Sequence, residues 1–253
     1  MSVKFRALLF VLFVGACRVA AAQTAGDVIA TVGGAWMNFS NSSSGQLVSS
    51  SQFGTFTSPG TSAEIHNAFT AGLLLDAFVT DHIAAEVVLA YPPTLNMYAQ
   101  GNAAPLGSAG PLLPLGALRP LASARTWPAT VQLKYYFRRS DTSFRPYLGV
   151  GVNYTWYSDI KIDSTFNGAA QSFAGPGGSV QSSLSNSWNP VVSAGFTYKL
   201  AQHWFVNGML MYFPLKTNAT INSVAADGTV TLSNKIRIKT DPLIAFVGVG
   251  YRF

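Results

Sequence analysis

The chain ends in IRIKTDPLIAFVGVGYRF, residues 236–253. Every second residue from Leu243 to Tyr251 is apolar, which predicts a β-strand with one continuous apolar face. At the open edge of a soluble sheet such a strand would template aggregation, whereas a strand that closes a barrel against the first strand has no free edge. This apolar strand, which ends in Tyr251-Arg252-Phe253, therefore favours a membrane β-barrel, and the alternative is a core strand at the end of a soluble protein.

The composition is also that of a membrane protein. Only 10% of the residues are charged and the mean hydropathy is +0.26, whereas soluble domains carry about 25% charged residues. After residue 22 no window reaches the roughly 18 consecutive apolar residues of a membrane-spanning helix, so the hydrophobicity is dispersed. Without Lys4, Arg6 and Arg18 the chain has 13 basic and 10 acidic residues, a net charge of +3, which argues against a nucleic-acid partner.

The first 22 residues have the features of a signal peptide. These features are two basic residues, an apolar core and a small-residue ending: Lys4, Arg6, Ala7–Ala16 and Ala20–Ala22. We expect cleavage before Gln23, which makes residues 1–22 the signal peptide and residues 23–253 the barrel domain. Cys17, the only cysteine, could instead be the lipidated first residue of a lipoprotein. Under either reading no disulfide forms within the mature chain.

Eight stretches alternate apolar and polar residues and are predicted as strands. They are approximately Asp27–Trp36, Asn67–Val79, Ile83–Tyr91, Trp127–Phe137, Arg145–Trp156, Trp188–Lys199, His203–Lys216 and Ile236–Phe253. Long connections, approximately 38–66, 92–124, 158–187 and 217–235, alternate with short turns. This is the order of an up-and-down membrane barrel with long outer loops and short periplasmic turns. The sequence therefore predicts an all-β, eight-stranded antiparallel transmembrane β-barrel in a bacterial outer membrane.

The apolar faces of these strands contain no charge, and most carry an aromatic residue near one end. The aromatic residues are Trp36, Tyr91, Trp127, Tyr135, Trp156, Trp188, Trp204, Tyr212, Tyr251 and Phe253. This distribution predicts the two aromatic girdles of a membrane barrel. A soluble lipocalin-like barrel would turn the same faces inward, and these aromatic rings would overfill an interior of eight strands.

The opposite faces of the strands predict what fills the lumen. Charged residues lie near the periplasmic turns and should pair as a polar floor, because an unpaired buried charge is costly: Asp76, Glu86, Lys134, Arg145, Lys199 and Arg252. The remaining inward residues suit an apolar solute or simply pack a small core: Leu74, Val88, Met209, Met211 and Phe213, with Phe205 lower down. Inward glycines suggest room beside them or reflect coiling of the strands: Gly149, Gly151, Gly195, Gly248 and Gly250.

Five prolines fall toward the outer ends of the strands, where a missing N–H thins the hydrogen-bond ladder. Pro92 and Pro214 are interpreted as strand ends. Pro128, Pro190 and Pro242 predict a weak seam through which a solute could leave sideways into lipid.

Several stretches resemble the OmpW family of small outer-membrane barrels. They are VTDHI (79–83) leading to Glu86, FRPYLGVGVNYT (144–155), LKTNAT (215–220) and DPLIAFVGVGYRF (241–253). The resemblance covers all the predicted strands, and residues 144–155 are its most specific part. It implies an eight-stranded barrel with a narrow apolar lumen, proposed for that family to carry small hydrophobic molecules across the outer membrane.

The functional hypothesis is a channel for small hydrophobic molecules, with lateral exit into the membrane. The alternative is a structural or receptor barrel that presents its outer loops without transport. No Gly-x-Ser-x-Gly or metal-spaced histidine pair occurs, and His66 with the serines of the first loop is the remaining catalytic candidate, so we expect no enzyme, metal or cofactor. The expected partners are outer-membrane lipid, small hydrophobic solutes and the barrel-assembly machinery, which would recognise Tyr251 and Phe253.

Overall fold

The computed structural model describes residues 23–107 and 110–253. The predicted signal peptide, with Cys17, lies outside the described residues. The strands are β1 (Val28–Asn38), β2 (Ser43–Ser44), β3 (Leu47–Ser51), β4 (Gly54–Ser58), β5 (Ser62–Ile65), β6 (Ala68–Phe78), β7 (Ile83–Ala90), β8 (Thr94–Gln100), β9 (Asn102–Ala103), β10 (Leu113–Pro114), β11 (Ala122–Tyr136), β12 (Phe144–Ile162), β13 (Ser179–Leu184), β14 (Ser187–Lys199), β15 (Trp204–Tyr212), β16 (Leu215–Val224), β17 (Val230–Thr240) and β18 (Leu243–Arg252). A 3₁₀ turn (Leu115–Ala117) and one helix, α1 (Ser164–Ala174), complete the described elements.

Eight of these strands close into an antiparallel barrel in the order β1, β6, β7, β11, β12, β14, β15 and β18. The last strand closes it against the first, from Ile29 opposite Arg252 to Asn38 opposite Leu243. Closure leaves no free edge in this ring, which is the condition for β-structure in lipid. The predicted eight-stranded barrel and the closing role of its last strand are confirmed.

The barrel wall is apolar outside and mixed inside. Neighbouring residues alternate in exposure, as in β1, where Val32 is 63% exposed and Thr31 only 1%. Aromatic pairs mark both ends of the wall: Trp127 with Trp156 and Tyr154 with Trp188 at the outer end, and Trp204 with Tyr251 at the periplasmic end. The apolar faces therefore point outward as predicted, opposite to a lipocalin-like barrel. Among the described residues, no helix has the length and apolarity to cross a membrane.

The four long connections are folded rather than simple loops. Strands β13, β16, β17, β3 and β4 form a second sheet, with β2 beside β17, while β11, β12, β8 and β5 extend the barrel sheet outward. The predicted strand ends were therefore wrong here: residues 236–253 form parts of two strands that break at Asp241-Pro242, and the seventh predicted strand ends at Tyr212. The inward side chains of these outer strands, such as Met97, Ala99 and Ile236, pack in an apolar cluster, whereas their outward faces do not meet lipid and can be polar.

The inward glycines do not leave open space, which corrects the sequence interpretation. A Cβ atom on Gly149 would lie 2.4 Å from Ser193 Oγ and 2.8 Å from Gln132 Oε1. On Gly195 it would lie 2.5 Å from the Tyr147 hydroxyl. These glycines are needed because large inward side chains cross the narrow lumen over their backbone.

Candidate functional site

The periplasmic end of the lumen is closed by Arg145 and Gln23. Arg145 Nη1 donates to the Gln23 side-chain oxygen at 2.9 Å and to its carbonyl at 3.2 Å. Its Nε donates to the Arg138 carbonyl at 3.1 Å, its Nη2 donates to the Asp81 carbonyl, and the guanidinium lies 4.7 Å from the Tyr136 ring centre. Carbonyl oxygens rather than carboxylates therefore satisfy Arg145, which the predicted floor of paired charges did not anticipate.

A buried ion triad crosses the lumen one layer higher. Lys134 Nζ donates to Asp76 at 2.9 Å and also contacts the Glu86 carboxylate, and all three side chains are at most 2% exposed. Gln132 donates to Glu86 and accepts from Ser193 Oγ at 2.8 Å. The register explains the contact, because Asp76 pairs with Glu86 across β6 and β7, and Glu86 with Gln132 across β7 and β11. Hydrogen bonds thus run from β6 to β14 across the lumen.

The other predicted floor residues lie apart from this triad. Arg252 pairs with Asp27 at 3.4 Å beside the chain closure. Lys199 is half-exposed and forms no salt bridge with any residue that the structure describes. Phe205 packs in a cluster with Phe78, Tyr136 and Tyr147 below the triad, in keeping with its predicted position lower in the lumen and apart from the upper apolar space.

Removing the cation of the triad should destabilise the barrel more than removing one carboxylate. Lys134→Met leaves Asp76 and Glu86 buried with no counter-charge, and breaking a buried pair in this way costs about 3–5 kcal/mol. Glu86→Gln keeps the Lys134–Asp76 pair and should cost about 1–3 kcal/mol for an imperfectly satisfied polar group. Urea unfolding of both variants in lipid vesicles measures the difference. Equal midpoints for the two variants would contradict the role given to Lys134.

An apolar chamber lies directly above the triad. It brings together the predicted Leu74, Met209, Met211 and Phe213, with the half-buried Val88 packed against them. The sequence prediction omitted several buried members of the same cluster: Ala35, Met37, Phe39, Leu95, Val191, Leu215, Ile244 and Phe246. Phe246 was recognisable as an inward position of the last strand, but its ring fits only because Gly33 and Gly248 lack a Cβ, which at either position would lie 2.7 Å from the ring.

A narrow cleft of about 40 Å³, partly open to solvent, connects this chamber with the barrel wall. It is bordered on one side by Leu89, Ala90 and Pro128, and Leu89 is 41% exposed on the lipid face. Here the ladder between β7 and β11 ends at Leu89 opposite Ala129. Above this point β11 pairs with β8 instead, beginning at Arg125 opposite Thr94. The Thr126 N–H donates to the Pro93 carbonyl at 2.9 Å in this interval, so the interruption of pairing is confined to the few residues between Leu89 and Pro93, where the cleft meets the wall.

Only one of the three predicted seam prolines lies at this break. Pro128 has no N–H to continue the ladder, and it borders the cleft. Pro190 lies within the continuous ladder between β12 and β14, opposite Val152. Pro242 lies between β17 and β18, outside both strands. On its other side, however, the ladder between β14 and β15 ends at Val192 opposite Tyr212, below Pro190, and Pro242 lies at the outer end of both ladders of β18. A seam at these two prolines therefore stays a prediction.

Above the chamber lies a second apolar cavity of about 70 Å³, also partly open to solvent. Leu95 and Leu215 line it and also belong to the chamber cluster, so the two spaces are neighbours along the lumen with these side chains between them. A further cluster of Leu47, Leu115, Leu118 and Phe166 packs across the extracellular end. Apolar side chains thus line most of the interior from the ion triad to the extracellular tip, interrupted by a few buried polar groups such as Asn153, which donates to Thr130 at 3.0 Å beside the chamber.

Among the described residues, His66 has no catalytic partner, and no group of side chains is arranged to bind a metal ion. The His66 ring stacks on Tyr98 at 3.9 Å, and its side chain forms no hydrogen bond to a serine in the described part of the chain. Within residues 23–107 and 110–253, no three His, Cys, Asp or Glu side chains come together as metal ligands.

Comparison with known proteins places these features among outer-membrane barrels. A sequence model of the OmpW family matches residues 24–253. Outer membrane protein W of Vibrio cholerae is 29% identical over 182 residues, 72% of each chain, and outer membrane protein AlkL of Ectopseudomonas oleovorans is 26% identical over 216 residues, 85% of this chain and 80% of that one. The crystal structure of the outer membrane protein OprG from Pseudomonas aeruginosa superposes with a TM-score of 0.72 at 26% identity, covering 92% of this chain and 98% of that one.

Proposed function

The chain belongs to the OmpW family and is an outer-membrane β-barrel, and we propose that its lumen carries small apolar molecules from the extracellular side into the membrane. The observation that carries this proposal is the cleft at Leu89, Ala90 and Pro128, which joins an apolar chamber to a break in the barrel wall. An apolar solute that follows the lined interior can leave there without meeting the charged layer.

The charged layer supports lateral exit over passage to the periplasm. To continue downward, an apolar solute would have to separate Lys134 from Asp76 and Glu86, and then displace Gln23 from Arg145. Exposing buried charges to an apolar molecule costs several kcal/mol per ion. Moving from the chamber into lipid costs the solute nothing in desolvation, because both surroundings are apolar.

A receptor barrel is the second candidate function. The ordered outer region, which includes α1 and the second sheet, favours it because a defined extracellular surface can be recognised by a partner. We propose no enzymatic activity for either candidate, since the lumen lacks a nucleophile activated by a base among the described residues.

Cross-linking the wall at the cleft should stop uptake of an apolar solute. The variant Ala90→Cys/Pro128→Cys places two thiols at the break between β7 and β11, and oxidation or a short bifunctional reagent would join them across the cleft. We expect n-octane uptake by cells carrying the cross-linked barrel to fall to the background of cells without it. Reduction of a disulfide cross-link should restore uptake.

The matched control is a cross-link between the same strands where they are already paired. Ala85 and Leu133 are direct partners lower in the β7–β11 ladder, so joining Ala85→Cys to Leu133→Cys should leave uptake unchanged. Equal uptake through the barrel cross-linked at the cleft would exclude exit at Pro128. If the unmodified barrel takes up no n-octane at all, the receptor function is favoured.

A further inference from the structure

The second sheet of the outer region carries only positive charges. It is formed by β13, β16, β17, β3 and β4, with β2 beside β17, and these strands contain four basic residues and no acidic residue. The basic residues, called the basic stripe below, are Lys216, Lys235, Arg237 and Lys239. No salt bridge joins any of them to another residue that the structure describes. The counter-charge of the stripe therefore comes from outside this sheet.

The basic stripe lies on the outward face of the sheet. On β17, Lys235, Arg237 and Lys239 are exposed, whereas Ile238 between them is 2% exposed and points into the interior. Lys216 on β16 is also exposed and is the direct partner of Lys239. Like charges at directly opposed positions destabilise a sheet, because their Cβ atoms lie about 4.5–5.5 Å apart. An anion bound between these two lysines would remove that repulsion.

The described part of the chain does not supply this anion. Arg237 donates from Nε to the Asn218 side-chain oxygen at 3.3 Å, which is a neutral acceptor. The nearest acidic residues along the chain, Asp227 and Asp241, lie beyond the two ends of β17, and among the described residues neither forms a salt bridge with the stripe. Protection of a sheet edge does not explain these cations either, since β17 lies between β16 and β3.

The position of the stripe relative to the membrane indicates which anion can reach it. Tyr212 and Leu243 are partners at the outer ends of β15 and β18, and both side chains are exposed on the lipid-facing side of the wall. The same alternation continues to Lys216 and Lys239, each four residues away along the chain. Four residues span about 13 Å of strand, or about 10 Å of height at the tilt of a membrane barrel. The lysine pair therefore lies at the level of the outer-leaflet headgroups.

Arg237 and Lys235 extend the stripe further from the lipid. They lie two and four residues beyond Lys239, which is about 5 and 10 Å higher at the same tilt. The headgroup layer of a phospholipid leaflet is only about 5–8 Å thick, so the single phosphate of a phospholipid does not span the stripe. A glycolipid with phosphates on a larger sugar headgroup reaches several of its cations at once.

We propose that the basic stripe binds a phosphorylated glycolipid of the outer leaflet. The lysine ammonium groups neutralise its phosphates as point charges, and the Nη groups of Arg237 donate to a phosphate at a higher level. The acyl chains lie below, against the exposed Leu210, Leu243 and Val247 of the barrel wall. Lipid held in this way anchors the outer sheet at the membrane surface, independently of any solute in the lumen.

The test measures binding of diphosphoryl lipid A to the purified barrel in dodecyl maltoside micelles by native mass spectrometry. We expect saturable binding to the parent. Lys216→Gln/Lys239→Gln should weaken it about 25-fold, because each cation near an anionic lipid contributes about fivefold. Lys216→Arg/Lys239→Arg keeps both charges and should keep the parental affinity. Phosphatidylglycerol, which has one phosphate at the headgroup level, should bind the parent at least about fivefold more weakly than lipid A.

Arg119→Gln/Lys161→Gln is the matched control, since it removes the same charge from exposed outer residues that lie outside the second sheet. It should leave the affinity for lipid A unchanged. Heat-dependent electrophoretic mobility confirms that each variant is folded. Unchanged binding by Lys216→Gln/Lys239→Gln would overturn the proposal. An equal loss in the control, or equal affinity for phosphatidylglycerol, would also overturn it by reducing the contact to general attraction between cations and anionic lipid.

Discussion

Val88→Arg or Met211→Arg should abolish uptake of small apolar solutes by a barrel that still inserts in the membrane. Val88 borders the cleft, and Met211 is 2% exposed in the chamber beside it. A guanidinium at either position fills the narrow apolar space and places a charge on the route, where an apolar solute cannot compensate its desolvation. Uptake of n-octane should fall to the background of cells without the barrel.

The fold should tolerate Val88→Arg because the lumen already holds a partner for the new charge. Glu86 is two residues away on the same inward face of β7, a separation of about 6.5–7 Å. The triad contains two carboxylates and one ammonium, so an added cation can be accommodated by Glu86. Met211→Arg has no carboxylate at its strand partners Ser193 and Ile244, and it should be the less stable of the two variants.

Val88→Leu and Met211→Leu are the matched controls, because they change shape without adding charge. Both should insert and retain most of the uptake, which separates a charge effect from a packing effect. Insertion is measured by the heat-dependent electrophoretic mobility of the folded barrel. If both arginine variants insert and take up n-octane at the parental rate, the lumen is not the route and a receptor function becomes the better interpretation.

The transmembrane part of this fold could be predicted from the sequence because lipid imposes a strict rule on it. Every outward position must be apolar, so alternation such as Val247, Val249 and Tyr251 identifies both the strand and its direction. The triad followed from the same reasoning: the tight turn between β6 and β7 fixes Asp76 opposite Glu86, and both then face the lumen with Lys134.

The remaining features depend on contacts that periodicity does not encode. Strands such as β3 and β16 stand outside the lipid, and their serine and threonine residues show no apolar alternation. The partner of Arg145 is Gln23, which precedes the first strand and has no register to predict its position. The cleft depends on β11 changing its partner from β7 to β8, whereas the prolines alone suggested three sites.

Deletion of Phe253 should sharply reduce the amount of barrel inserted in the outer membrane of cells while changing the stability of the folded barrel little. Phe253 is 77% exposed. Its N–H donates to the Val28 carbonyl at 3.0 Å, and its ring meets Tyr251 edge-on at 5.2 Å. One exposed hydrogen bond and one aromatic contact together contribute about 1–3 kcal/mol. A large loss of inserted barrel in cells would therefore reflect recognition of the Phe253 ring during assembly. We propose that the barrel-assembly machinery recognises it.

Phe253→Ala tests the ring alone, because it keeps the backbone hydrogen bond to Val28. Phe137→Ala is its matched control: Phe137 is also an exposed periplasmic aromatic residue that meets a tyrosine edge-on, here Tyr135 at 5.3 Å. Both variants should unfold at similar urea concentrations after refolding in vesicles, because they lose similar contacts. Only Phe253→Ala should reduce the amount of heat-modifiable, membrane-inserted barrel in cells. Normal insertion of Phe253→Ala, or an equal loss for Phe137→Ala, would mean that the terminal ring serves packing and not assembly.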